Sequence, residues 1–265
     1  MNEACQRILD ALRTDGIALA RFPELFGEEL WREAQADIEP FVRGSAEATQ
    51  GREVAAGKDD IVVRRFYDVP GMKKRGYVLA PSAPWFRIAA SDTVLDIVNA
   101  YRGEWTKLYY VDNWFTVPFA NAAERVSSQR WHRDPEEEHV VKVFVYFSDV
   151  DEDAGPFEYV SGSPSGLRHG KLWPWGPKHK HRFPPPEELE AAVPAEDWLT
   201  LTGPAGTMIF CDTGGFHRGG FARTKPRVLS ISSYVRPEKL GKRRFRVDFE
   251  GSEDTLSPQA RFALE

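Results

Sequence analysis

The chain has 265 residues, 42% of them apolar and 28% charged, with a formal net charge of -5. That suffices for a sizeable core and excludes a globally basic protein drawn to nucleic acid or anionic membrane surfaces. Two cysteines, Cys5 and Cys211, are too few for a disulfide framework and fit a reducing, cytoplasmic compartment. The polar start lacks a signal-peptide core, and no apolar run approaches the roughly 20 residues of a membrane helix.

In chain order, "EACQRILDALRTDG" sets Cys5, Ile8, Leu9 and Leu12 at helical spacing and stops at a glycine. "IALARF" is a short strand, "GEELWREAQADIEPFV" a second amphipathic helix, and "SAEATQGREVAAGKDD" a polar surface loop. "APWFRIAASDTVLDIVNAYRG" returns to helical period. From Thr106 the character changes to "TKLYYVDNWFTV", "VVKVFVYFSDV", "FEYVSGS", "DWLTLTG", "GTMIFCD" and "RVLSISSYV", separated by Gly, Pro and Asp. Such runs predict many short strands in a sandwich or barrel. The fold class is α+β: one domain, mainly helical over 1–105 and β-rich over 106–240, with the helices outside the sheets. A proline-rich segment with two tryptophans interrupts the strands and is expected to be a lid-like insert over about 168–197, without helix or strand of its own.

All six histidines lie between His132 and His217, so chemistry is expected there. Within "WHRDPEEEHVVKVFVYF", His132 and Asp134 are two apart, and on an extended chain they project from one face, as two ligands of one metal must. His217, after "GTMIFCD" and the small-residue turn "TGGFHRGG", is the candidate third ligand. Two imidazoles and a carboxylate make the facial triad of non-haem Fe(II) oxygenases, with three coordination positions left open. His139 stands at an odd offset from His132 and is expected to face away, capping a strand or lining the entrance. Glu136, Glu137 and Glu138 form a solvated turn, and Asp212 a turn at a strand end. Arg227 opens the strand "RVLSISSYV"; buried there, a guanidinium needs an anion, with a carboxylate its best-matched partner and an internal salt bridge the alternative. Trp131 is assigned to the core.

"WHRD", then "VFVYFSDVDEDAGPFEYVSGS", then a histidine followed ten residues later by an arginine resemble the phytanoyl-CoA dioxygenase-like branch of the Fe(II)/2-oxoglutarate-dependent oxygenases, over about Tyr109 to Arg236. The resemblance implies a double-stranded β-helix (jelly-roll, cupin-like) core with flanking N-terminal helices. It implies iron held by His132, Asp134 and His217, and 2-oxoglutarate anchored at its distal carboxylate by Arg227. The family's Pro-Gly-Ser-His is here "SGSP" at Ser161 to Pro164; the missing histidine is not one of the three ligands, so the departure bears only on how that turn is braced. Related halogenases lack the carboxylate ligand, so Asp134 argues against halogenation.

Lys142 shares a face of its strand with Phe144 and Tyr146 and, if that face is inside, contacts the cosubstrate, as do Gln129 and Asn113; a solvent-facing Lys142 is the alternative. Arg133, Tyr146, Arg168 and Trp173 are candidate substrate contacts. Arg133, Lys142, Arg168 and Lys171 suggest an anionic small molecule. "KHKHR" at 178–182 is taken as a solvated basic loop, and no basic stripe interleaved with aromatics points to nucleic acid. The expected reaction uses dioxygen to hydroxylate a small molecule, releasing succinate and CO2. The other readings are a cupin-type metalloenzyme that needs no 2-oxoglutarate (an isomerase or a cofactor-independent dioxygenase) and a non-catalytic β-fold binding module.

Overall fold

The computed structural model describes residues 1–51, 62–65, 77–121, 124–176, 183–240, 245–249, 251 and 253–265. Most of "GREVAAGKDD" and all of "KHKHR" lie outside these residues. Helix α1 (Glu3–Asp15) begins at Asn2, whose side chain accepts from the Cys5 N–H, and ends at Gly16 in the left-handed conformation that favours glycine. Strand β1 (Ile17–Arg21) leads into α2 (Phe22–Thr49), which is broken at Gly27 (φ +77°). Helix α2 runs farther than the sequence suggests: Ser45 to Thr49, expected in a loop, form its last turn, and Ser45 and Thr49 are buried.

Strands β2 (Val62–Arg64) and β3 (Tyr77–Leu79) follow. The next helical stretch divides into α3 (Pro84–Ala89) and α4 (Asp92–Arg102), because the Ser91 hydroxyl accepts the Val94 N–H and starts a new helix. The six β-branched runs become β4 (Lys107–Thr116), β5 (Val141–Tyr146), β6 (Phe157–Val160), β7 (Trp198–Leu201), β8 (Thr207–Asp212) and β10 (Arg227–Val235). Strands β9 (His217–Gly219) and β11 (Phe245–Val247) and helix α6 (Pro258–Leu264) complete the set with α5 (Pro186–Ala192). Helix α5 corrects the expectation of an insert without regular structure: its prolines precede or open the helix, where no intrahelical N–H is lost.

A six-stranded antiparallel sheet, ordered β1-β8-β5-β10-β4-β2, faces a three-stranded sheet ordered β7-β6-β9; β3 and β11 form a parallel pair. Alternation divides the large sheet cleanly. Val141, Val143 and Val145, with Phe210 and Val228, pack outward under the helices against Ile8, Leu12, Trp85 and Leu95. Phe144, Tyr146, Ile209, Leu229 and Ile231 point inward, toward Phe157 and Tyr159 of the small sheet. Behind the small sheet Trp131, Val160, Leu189, Val193 and Phe216 make a third cluster, so Trp131 is a core residue and the insert helix has a face to bury. Among the described residues, no helix is long and apolar enough to cross a membrane.

Candidate metal centre

His132 and His217 sit opposite each other in an isolated antiparallel bridge, each N–H donating to the other's carbonyl at 3.1 and 3.0 Å. The Asp134 N–H donates to the Thr213 carbonyl at 2.9 Å, so the segment of two candidate ligands is laced to the turn that delivers the third. His132 thus lies in a single bridge rather than a full strand. One ligand atom from each of His132, Asp134 and His217 falls within 4.8 Å of the others, and all three residues are buried.

The tautomers suit a metal. Nδ1 of His132 lies 2.8 Å from the Arg130 carbonyl and Nδ1 of His217 lies 3.0 Å from the Gly215 carbonyl. A carbonyl only accepts, so each Nδ1 carries the proton and each Nε2 presents its lone pair toward Asp134. The Nε2 atoms are 3.9 and 3.7 Å from the Asp134 carboxylate.

Burial alone would raise the Asp134 pKa, but the charge of Lys142 and its hydrogen bond hold it well below the carboxylate range. Lys142 faces inward, donating to Asp134 at 2.6 Å. Its own desolvation is outweighed by that carboxylate, and its pKa stands well above the usual value. The solvent-facing alternative for Lys142 is thereby corrected.

The triad lines a cavity of about 410 Å³. Its walls include Trp114, Phe144, Phe157, Leu229 and Ile231, with Gln129, Lys142, Thr116 and Arg227 as polar groups. Arg227 is 5% exposed, and among the described residues its Nε and Nη1 have no hydrogen-bond partner. Burial lowers its pKa, opposed by the adjacent Tyr146. Thr116 is the cross-strand neighbour of Arg227, and its buried Oγ1 is likewise unpartnered. Gln129 accepts from the Val126 N–H through Oε1, and its Nε2 has no partner among the described residues. Three polar groups with unused hydrogen-bonding capacity therefore share one buried cavity with the triad, an arrangement suited to an anion.

Other expected contacts are not brought here. Asn113 belongs to the opposite face of β4, in line with Val111 and Phe115 under the helices. Arg133 is the odd residue between the two ligands and points away, its guanidinium donating to the carbonyls of Ser163, Gly214, Leu172 and Trp173. Tyr146 is not among the cavity-lining residues; beside Arg227, its hydroxyl donates to the Leu201 carbonyl at 2.9 Å and accepts from the Phe157 N–H at 3.2 Å. Arg168 pairs with Asp15 and Asp197 on the outside, and Trp173 packs on the third cluster. Of the four cations that suggested an anionic substrate, Arg133 and Arg168 are so engaged, Lys142 is paired to Asp134, and Lys171 is exposed.

His139 does face away, its Nδ1 2.6 Å from the Asp212 carboxylate, which also accepts from Tyr101 and from the Val140 and Gly214 N–H groups. Glu137 corrects the solvated-turn reading: it is 1% exposed and paired with Arg102 and Arg236. Thr116, Arg64 and Trp114, which also line the cavity, escaped sequence reasoning because only the register β2-β4-β10 puts them there.

No family model and no curated protein matches the chain. Solved structures do resemble it. The epimerase SnoN in complex with Fe3+, alpha ketoglutarate and nogalamycin RO shares 16% identity at a TM-score of 0.57, over 88% of this chain and 84% of that one. EctD from S. alaskensis with 2-oxoglutarate and 5-hydroxyectoine shares 16% at 0.58, over 94% and 90%. HygX from Streptomyces hygroscopicus with nickel and 2-oxoglutarate bound shares 16% at 0.53, over 89% and 88%. Identity this low speaks to fold alone, and the two facing antiparallel sheets with their N-terminal helices are the double-stranded β-helix fold of these 2-oxoglutarate-dependent proteins.

Proposed function

We propose that the chain is an Fe(II)/2-oxoglutarate-dependent oxygenase that hydroxylates a small molecule, of the phytanoyl-CoA dioxygenase-like branch that its motif order resembles. The observation that carries this reading is Arg227: a buried, incompletely paired guanidinium opening on the cavity that holds two imidazoles and a carboxylate. A metalloenzyme acting without a dicarboxylate would have no use for that cation, and burying it incompletely paired is costly. This favours the oxygenase over the cofactor-independent alternative.

The donor set fits ferrous iron. His132, Asp134 and His217 would hold it, and bound with 2-oxoglutarate and dioxygen it would supply oxidative decarboxylation to succinate and CO2 coupled to oxidation of a substrate C–H bond. Arg227 takes the distal carboxylate of the cosubstrate, with the Thr116 hydroxyl as a second donor from the facing strand. Gln129 offers Nε2 to the other end. Lys142 keeps Asp134 ionised and oriented, and the aromatic walls at Trp114, Phe144 and Phe157 exclude water. The two buried, unpaired cysteines accord with a reducing, cytoplasmic setting.

The test is succinate release from purified protein given Fe(II), 2-oxoglutarate and air. Release above the no-iron control, lost in Asp134→Ala, is the expected result; none under any substrate screened would sink the proposal. Gain of one oxygen atom by the substrate, measured by mass, separates hydroxylation from epimerisation or ring closure.

A further inference from the structure

Alternation that points His132 and Asp134 into the cavity drives Arg133 the other way, into a cage of carbonyls. Its guanidinium lies 3.7 Å above the Phe216 ring and donates to Ser163 (2.8 Å), Gly214, Leu172 (3.0 Å) and Trp173 (3.2 Å). These carbonyls come from three separate pieces of chain: the turn after β6, the turn before His217, and the insert. Arg133 is 2% exposed, and its hydrogen bonds among the described residues end on neutral oxygens rather than a carboxylate. An apolar side chain of the same size would leave these carbonyls without a donor, so the guanidinium is what ties the three pieces together.

Three further observations place the insert in the same device. Trp173 has φ +41°, a left-handed conformation costly for a bulky side chain, and its carbonyl is one that Arg133 holds. Two residues on, the Trp175 indole N–H donates to the Asp134 carbonyl at 3.0 Å. Phe183, farther along the insert, lies with its ring centre 5.9 Å from that of His132. The insert is therefore bonded to the backbone of the candidate ligand segment itself.

We propose that Arg133 and Trp175 are positioning residues of the metal centre, through which docking of the insert and occupancy of the metal site stabilise each other. The inference rests on the proposed metal site but goes beyond it. A metal that fixes His132, Asp134 and His217 holds the backbone that Arg133 and Trp175 grip; a docked insert holds the ligand segment for the metal. Linkage makes the effect reciprocal: the factor by which metal slows opening of the insert is the factor by which releasing the insert weakens metal binding.

The experiment uses nickel(II) as a redox-silent probe on the full chain. Nickel affinity is measured by titration in wild type, Trp175→Phe, Arg133→Lys and His132→Ala, and amide exchange over residues 167–176 is followed with and without nickel. Expected are slower exchange with nickel in wild type by about fivefold or more, and a matching loss of nickel affinity in Trp175→Phe while the metal-free melting temperature stays within a degree or so. A merely structural tryptophan would lower the melting temperature and leave nickel affinity unchanged, and that result overturns the inference. So does exchange indifferent to nickel. Should Arg133→Lys not fold, Trp175→Phe decides alone. If wild type binds nickel no better than His132→Ala, the proposed function fails and this inference with it; nickel binding equal in wild type and Trp175→Phe removes the inference only.

Discussion

Replacing Arg227 by methionine should move stability and binding in opposite directions. The guanidinium is buried, and among the described residues its Nε and Nη1 are unpartnered. Leaving a buried donor unsatisfied costs about 1–3 kcal/mol, and methionine fills much of the same volume without that cost. The ligand-free protein should therefore gain about 1–3 kcal/mol, which raises the melting temperature of a domain this size by roughly 2–4 °C per kcal/mol. Affinity for 2-oxoglutarate should fall, because the carboxylate loses a desolvated, charge-assisted partner worth about 2–5 kcal/mol. That corresponds to a dissociation constant roughly 30-fold to a few thousandfold larger. Differential scanning fluorimetry on ligand-free protein and calorimetric titration of 2-oxoglutarate into nickel-loaded protein read the two effects. A lower melting temperature would show that the guanidinium supports the fold by itself. Unchanged affinity would show that the anion is held elsewhere, with Arg223, six residues past His217, the next to replace.

Three other outcomes follow from the geometry. His132→Ala and Asp134→Ala should abolish iron-dependent succinate release and nickel binding, whereas His139→Ala, whose imidazole binds Asp212 on the far side, should keep most of both; equal losses in all three would remove the triad assignment. The hydrogen bond to Asp212, opposed by burial, raises the His139 pKa. A raised folded-state value stabilises below the unfolded pKa of about 6.5, and that stability is lost as pH climbs through the folded one. Urea midpoints of wild type should thus decline above about pH 6.5 relative to His139→Gln, and parallel curves would count against the pair. Gly214→Ala would press a methyl into the Glu138 carbonyl oxygen, whereas the Cβ of Gly219→Ala meets nothing nearer than the Arg227 Nη2 at 3.5 Å. The first should cost about 1–3 kcal/mol or more in chemical denaturation and the second little; similar costs would contradict this packing.

Much of the site was legible because strand chemistry is local. Alternation in "VVKVFVYF" faithfully separates Lys142, Phe144 and Tyr146 from the valines, and the two-residue step from His132 to Asp134 needs no tertiary knowledge. The same rule, applied to the residue between them, already turns Arg133 away from the substrate. Thr116 and Asn113 were beyond local reading: which parity of β4 faces the cavity depends on its pairing with Arg227, more than a hundred positions away. Glu137 looked solvated among its acidic neighbours because its partners, Arg102 and Arg236, flank it from distant parts of the chain. Helix α5 was hidden by its prolines, though "EELEAA" behind them is built of strong helix formers.

The pairing of β1 with β8 bears on how the chain is made. Ile17 is the register partner of Cys211, so the segments lie 211 - 17 = 194 positions apart. At about 5–20 residues per second, a ribosome delivers the partner roughly 10–40 s after β1 is synthesised. Through that interval β1 is a strand without a sheet, with Ile17, Ala18 and Ala20, buried in the finished molecule, lacking the neighbour that will cover them. Its shortness and its closing arginine limit what else can pair with it while it waits.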